Sequence, residues 1–266
     1  MTLRIAALYR YPVKGLGAER IAAVELAPGA GVPGDRRFAF ARDDAGSDPH
    51  PSSGWRPKSA LLALHNAPAL AAIDCRMDSD GRLVLRAPDR PAVTGDPRHP
   101  EERHALESFI RDFSGSAAPN PPRLLNAVGC AFTDAREPSV SLVSLASIAE
   151  LERAVGIDLD VRRFRANLVI EGGLPWQEFD WCGADIVCGN VRLRVLEPIP
   201  RCAAILAEPG TGRTATDLLR PLARRHGEAI FGVLARVTAG GRIARGDPVA
   251  APPGGRFTER GELGLL

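Results

Sequence analysis

Alternating apolar and polar positions recur along most of this chain and predict a mainly β protein. Residues 2–11 read as a strand that ends in Tyr11-Pro12-Val13-Lys14-Gly15, and residues 20–27 alternate more weakly as a second. Pro28-Gly29 and Pro33-Gly34 mark turns. In the next strand, 36–42, Arg37, Ala39 and Ala41 share one face, and Arg36, Phe38, Phe40 and Arg42 the other. Strands at 69–75 and 82–87 flank the hairpin signal Asp80-Gly81. Further strands are predicted at 123–129, 163–171, 184–188, 191–197 and 230–238. Helical spacing is confined to three places. Leu106, Phe109, Ile110 and Phe113 predict a helix over 101–113. Leu145, Ile148, Leu151 and Val155 predict one over 144–155, stopped by Gly156, and a third covers 216–225 despite Pro221.

Between these elements, 43–57 and 88–100 are rich in Asp, Pro and Gly and read as loops, the first a candidate lid or mobile insert. The stretch 114–122, Ser-Gly-Ser-Ala-Ala-Pro-Asn-Pro-Pro, is the best linker in the chain. It divides a β-rich unit at 1–118 from a second at 119–252, with 253–266 a loose tail. Two β-rich domains with peripheral helices are therefore expected.

Composition narrows the function. With 45% hydrophobic and 25% charged residues and no long apolar run, the chain reads as a globular protein without a membrane span. No signal-peptide core opens it, so the expected location is the cytoplasm. A net charge of +2 gives no footprint for nucleic acid. The five cysteines include no Cys-x-x-Cys, which excludes a disulfide framework, a zinc ribbon and iron–sulfur spacing. The histidines show no zinc spacing, and no P-loop, dinucleotide fingerprint or Gly-x-Ser-x-Gly occurs. Arginine so outnumbers lysine that the two lysines, Lys14 and Lys58, stand out.

Cys202 is the leading candidate for chemistry. It follows the strand pattern at 191–196 in Glu197-Pro198-Ile199-Pro200-Arg201-Cys202. The prolines stiffen the exit and present Arg201 and Cys202 at the strand's mouth. A thiol beside a guanidinium is favoured to ionise, and a thiolate is a nucleophile or a soft-metal ligand. A buried, inert cysteine is the plainer alternative. If 163–171 is a strand, Arg163, Arg165 and Asn167 point to one face opposite Phe164, Ala166 and Leu168. Two guanidiniums and an amide there can grip a phosphate or an oxygen-rich heterocycle, or simply face solvent. Lys14 in its turn and Arg36 after Gly34-Asp35 could join them in an anion pocket.

Taken in order, Tyr-Pro-Val-Lys-Gly, Gly-Asp-Arg-Arg-Phe, Arg-Phe-Arg-Ala-Asn-Leu, Asp180-Trp181 and Arg201-Cys202 resemble MOSC-domain proteins with the N-terminal β-barrel domain, the group of the mitochondrial amidoxime-reducing components and their bacterial relatives. The resemblance runs from residue 3 to about residue 250. It implies a MOSC-type β-barrel in the second half and a molybdenum cofactor, a pyranopterin whose dithiolene holds the metal. Cys202 falls on the family's molybdenum ligand. Lys14, Arg36, Arg165, Asn167 and Arg201 fall on cofactor-binding positions, with Arg163 beside them. Three positions depart from the pattern: Gly15 stands where a polar side chain is common, Arg56-Pro57-Lys58 replaces a Thr-containing segment and recruits Lys58, and Leu234 replaces an aromatic. The implied activity is reduction of N-hydroxylated compounds, hydroxylamines and amidoximes, with electrons from a separate ferredoxin- or cytochrome-type protein. The rival is a non-catalytic carrier of cofactor or sulfur.

Overall fold

The structure is a computed structural model that describes residues 2–42, 52–118 and 122–253. Strands β1 (Arg4–Arg10), β2 (Glu19–Ile21), β3 (Ala23–Leu26) and β4 (Phe38–Ala41) come first. They are followed by β5 (Ser52–Ser53), β6 (Asp74–Met77), β7 (Leu83–Arg86) and β8 (Val93–Gly95). Helix α1 (Pro100–Ser114) leads to β9 (Arg123–Ala127), β10 (Val140–Ser144) and helix α2 (Leu145–Val155). Then come β11 (Leu168–Glu171), α3 (Gln177–Asp180), β12 (Asp185–Cys188) and β13 (Val191–Pro200). Helix α4 (Leu219–His226) and strands β14 (Ile230–Ala239), β15 (Gly241–Ala244) and β16 (Val249–Ala250) close the described chain.

Eight strands form one sheet in the order β16-β12-β13-β14-β10-β11-β1-β2. Its pairs are antiparallel except β10–β11, whose parallel connection is made through α2. Burial of Val191, Leu193 and Val195 between exposed Arg192 and Arg194 shows why β13 is a strand with one wet face. The strand runs on through Pro198 and Pro200, past the four residues that pair with β12. There it has only β14 as neighbour, and register shifts absorb the missing donors. Ser144 caps α2 by accepting from Ala146 N, and Gly156, at φ 73°, ends it.

Among the described residues, two large hydrophobic cores stand beside a small third one of Ala39, Ala41, Leu61, Leu125, Ala127 and Phe132. One large core lies on the large sheet and gathers Ile5 and Leu8 of β1 with Leu142, Phe164, Phe231 and Val233. The other gathers Val13, Leu16, Phe38, Leu62, Leu106 and Ile110 around the β6–β7–β8 sheet and α1, and receives Ala207 from beyond Cys202. The first core thus takes β1 and β2 from the amino-terminal part of the sequence. Among the described residues, no helix is long and apolar enough to cross a membrane.

Several elements differ from the sequence pattern. Residues 68–72 form a 3-10 turn rather than the start of a strand, because Pro68 opens it and Leu70 and Ala71 bury themselves. The loop at 88–100 contains β8, which pairs with β7. The third helix starts at Leu219, not at 216. In β4 all four residues are buried, so its expected two-faced alternation has apolar packing on both sides. The run 163–171 is a strand only from Leu168; Val161–Phe164 is a 3-10 turn and Arg165 is left-handed at φ 52°. Of the proposed linker, Ala117 and Ala118 are packed into the second core. Of the candidate lid at 43–57, residues 43–51 lie outside the described residues, as does the tail from 254, while Ser52–Ser53 form β5.

Glu178 in α3 is fully buried. Its Oε2 accepts from Ser147 Oγ at 2.8 Å, while Oε1 has no partner among the described residues. Burial pushes its pKa up to about 7, against opposing hydrogen bonds from backbone N–H groups and Ser147. The folded chain therefore holds a proton that the unfolded chain releases in the ordinary carboxylate range. Stability is highest below that range and falls as pH rises toward about 7. Glu178→Gln is expected to flatten this dependence, removing a difference on the order of 3 kcal/mol between mildly acid and mildly alkaline solution. Denaturant midpoints on both sides of neutrality measure it.

Candidate functional site

A cavity of about 180 Å³ opens between the two cores. Lys14, Arg36, Arg163, Arg165, Asn167, Arg201 and Cys202 all line it. Thus seven of the eight residues selected from sequence meet in one place. Lys58 does not line it; it sits exposed in a 3-10 turn at Lys58–Ala60. The face argument for Arg163, Arg165 and Asn167 is replaced by a different geometry. A left-handed residue between a 3-10 turn and a strand, not strand alternation, brings the three together.

Each cation is held differently. Lys14 is buried and donates to Phe132 O at 2.9 Å and Asp134 Oδ1 at 2.6 Å. Burial lowers its pKa, with Asp134 opposing. Burial works to raise the Asp134 pKa, but the charge and hydrogen bond of Lys14 outweigh it and hold this carboxyl below its usual range. Arg36, at φ 45°, donates to Asp35 Oδ2 at 2.5 Å and to Arg165 O at 2.7 Å. Arg165 donates Nη1 to Leu16 O at 2.6 Å, and burial with the charge of Arg36 lowers its pKa to about 10. Both guanidiniums stack on Tyr11, at 4.4 and 4.3 Å from the ring centroid. Desolvated cation–π contacts of this kind contribute up to about 2 kcal/mol each.

Arg163 is buried, donates Nη1 to Leu206 O at 2.9 Å and lies 3.7 Å from Glu208. Arg201 gives Nε and Nη2 to Phe231 O at 2.8 and 2.5 Å and Nη1 to Phe164 O at 2.9 Å. Asn167 is a clamp within the fold: its Oδ1 accepts from Ser141 N and Oγ, and its Nδ2 donates to Tyr9 O. Cys202 is half-buried at the start of the 3-10 turn Ala203–Leu206, directly after β13.

Two buried guanidinium nitrogens, Arg163 Nε and Arg165 Nη2, have no hydrogen-bond partner among the described residues. Buried donors are nearly always paired, so these two call for acceptors supplied by a ligand or water. Five cations against one lining carboxylate, Asp134, favour an anion. Apolar Ile199, Pro200, Ile205 and Leu234 form another part of the wall. Gly15, the departure noted in sequence, sits at φ 84°, and a Cβ there would stand 3.1 Å from Ala63 Cα. Backbone conformation and packing both favour glycine.

Sequence reasoning missed Asp134, His65 and the stacking role of Tyr11. Asp134 and His65 lie in loops remote in sequence from Lys14 and Cys202, with no local motif to mark them. Tyr11 was inside a recognised motif but reads there as the end of a strand.

The MOSC domain family matches residues 130–250, and the MOSC N-terminal beta barrel domain matches residues 2–120. The chain is a MOSC-domain protein with an N-terminal MOSC β-barrel domain. Curated relatives include proteins named molybdenum cofactor sulfurase. That of Anopheles gambiae is 27% identical over 86% of this chain and 34% of its own length. That of Drosophila grimshawi is 33% identical over 41% of this chain and 14% of its own length, and that of Danio rerio 29% over 47% and 16%. The MOSC chain thus spans about a third or less of these relatives. Among solved structures, the YUAD protein from Bacillus subtilis covers 94% of each chain at 13% identity, with a TM-score of 0.45.

The unpaired guanidinium nitrogens lead to a direct expectation. Inorganic pyrophosphate is expected to bind this cavity, with an affinity that falls with added salt, as calorimetry would measure. Arg163→Met and Arg165→Met each remove a charge-assisted hydrogen bond and weaken binding about tenfold or more. Lys58→Met, outside the lining, has a smaller effect.

Proposed function

We propose that this protein is an oxidoreductase that binds molybdenum cofactor and reduces N-hydroxylated compounds, hydroxylamines and amidoximes, with electrons from a separate ferredoxin- or cytochrome-type protein. The observation that carries the proposal is one half-buried thiol, Cys202, sharing a cavity with five cations, two of which keep buried N–H donors without acceptors. The residues present fit the cofactor. A thiolate is a soft ligand suited to such a metal. No group of three His, Cys, Asp or Glu side chains is placed to hold a metal among the described residues, so a metal beside Cys202 needs donors of its own, as a dithiolene provides. Arg163 Nε and Arg165 Nη2 would donate to the oxygens of such a group, and Lys14 and Arg36 would add charge toward it. When bound, the group supplies two-electron redox chemistry, while the protein contributes binding, orientation and electrostatics.

Arg201 holds the backbone at Phe231 and Phe164 and so fixes the residue before the ligand. Asn167 ties β1 to Ser141 and keeps the cavity floor in place. Leu234 and Ile205 give the substrate an apolar wall. The resemblance to proteins named molybdenum cofactor sulfurase supports the choice of cofactor. The same names favour one second reading, in which Cys202 holds the cofactor or a persulfide for delivery and no turnover occurs.

Two outcomes are expected. Cys202→Ala, made in a cofactor-competent host, loses molybdenum by elemental analysis, while the other four cysteines are dispensable for metal retention; full metal content in that variant refutes the ligand assignment. The loaded protein is inactive with NADH and a hydroxylamine alone, and gains turnover when a reduced viologen dye is added. Failure with every donor despite a full complement of molybdenum selects the carrier.

A further inference from the structure

Reducing a hydroxylamine to an amine takes up two electrons and two protons. The N–O bond breaks, one proton ends on nitrogen, and the other leaves with the oxygen as water. The electrons come one at a time from the separate donor protein named above. The protons must cross the cavity, and most of its titratable side chains are unsuited to carrying them. The four arginines do not give up protons, and Lys14 directs its donors to Phe132 O and Asp134 Oδ1. Asp134 is kept ionised by Lys14. Cys202 is the proposed ligand. His65 is the lining residue that remains, and imidazole is the side chain whose ordinary titration lies nearest neutrality.

We propose that His65, as the imidazolium, delivers protons to the substrate in this cavity. This rests on the reductase reading. The ring is carried on a rigid turn: Ala67 N donates to Ala63 O at 2.9 Å, and Leu64 and Ala67 anchor the turn in the second core. Asn66 fixes the orientation. Its Oδ1 accepts from Ala63 N at 3.0 Å and its Nδ2 donates to Leu61 O at 3.0 Å, so its amide cannot flip without losing both bonds. That amide nitrogen lies 3.4 Å from His65 Nε2. A donor facing Nε2 makes this nitrogen the acceptor in the neutral ring, whose one proton then stays on Nδ1, so the proton that the imidazolium gives up is the one on Nε2. Lys58 gains a role here without touching the cavity. Burial lowers the ring's pKa, the charges of Lys58, Lys14 and Arg42 add to that, and Asp134 opposes them. A lowered pKa makes the protonated ring a stronger acid toward the substrate.

The test uses the cofactor-loaded protein, reduced viologen and a hydroxylamine, followed across the neutral pH range. NMR of isotope-labelled histidine reads the His65 ring separately. In the wild type, kcat is expected to fall as pH rises through the ring's own titration. His65→Gln is expected to lower kcat on the order of 10²-fold and to lose this pH limb, with KM and molybdenum content unchanged. Added imidazole restores part of the rate. Lys58→Gln is expected to move the NMR titration and the kinetic limb together toward higher pH, because a positive neighbour is gone. The proposal is overturned if His65→Gln keeps its rate and pH limb, or if the limb stays in place when the NMR titration moves in Lys58→Gln. A loaded wild type that gives no turnover with any donor overturns the reductase reading itself rather than the role of His65, since there is then no rate to compare.

Discussion

Arg201 spends its guanidinium on two backbone carbonyls, those of Phe231 and Phe164, and much of the site is arranged around that commitment. Those residues stack on each other with ring centroids 4.0 Å apart, so one cation joins β14 to the turn that carries Arg163 and Arg165. Burial pulls the Arg201 pKa down to about 10, yet it stays charged at neutral pH because the carbonyl oxygens replace water. The neighbouring glycine makes room. Gly232 sits at φ 68°, and a Cβ there would come within 2.5 Å of Leu142 O and 3.4 Å of Arg201 Nη2. Cys202 follows directly, so its backbone inherits the stiffness of this clamp and of the prolines before it.

The lattice of clamps also explains how the cavity holds so many cations without flying apart. Each is tied to a carbonyl or carboxylate belonging to a different part of the chain: Lys14 to Phe132 and Asp134, Arg163 to Leu206, Arg165 to Leu16. Their mutual repulsion is thereby converted into cross-links between segments far apart in sequence. The site and the seam between the two cores are stabilised by the same bonds. A substitution that breaks one of them leaves a buried charge unpaired, and the cost is structural as well as functional.

Much of this was legible in the chain and some of it was concealed by the same patterns. The alternation at 191–196 announced the strand that the structure carries on to Pro200, and apolar spacing with Gly156 announced the helix at 145–155. The prolines at 198 and 200, read as the exit from the strand, lie within it, and Cys202 follows two residues after its end. Arg163-Phe164-Arg165-Ala166-Asn167-Leu168, by contrast, alternates well enough to pass for a strand, and nothing local betrays the left-handed residue inside it. Glycine is the usual sign of positive φ, and here the position is an arginine. Asp134 and His65 were invisible for another reason. Their partners are brought to them only by the packing of two cores, and pattern reading along one dimension does not see such meetings.

That left-handed arginine carries the last step. Among the described residues, four other than glycine have positive φ, and two of them, Arg36 and Arg165, line this cavity. Such a backbone costs on the order of 1–3 kcal/mol at each residue and persists only where surrounding contacts over-determine it. Here the contacts can be named: Arg36 Nη2 donates to Arg165 O, and both side chains lie over Tyr11. The two strained residues hold each other. Relaxing one to an ordinary conformation swings its guanidinium off the ring and breaks the bond to the other. Glycine at either position would ease the backbone but forfeit the charge, the stacking and the link. The strain therefore persists because the same two residues must both bend the chain and present cations to one cavity.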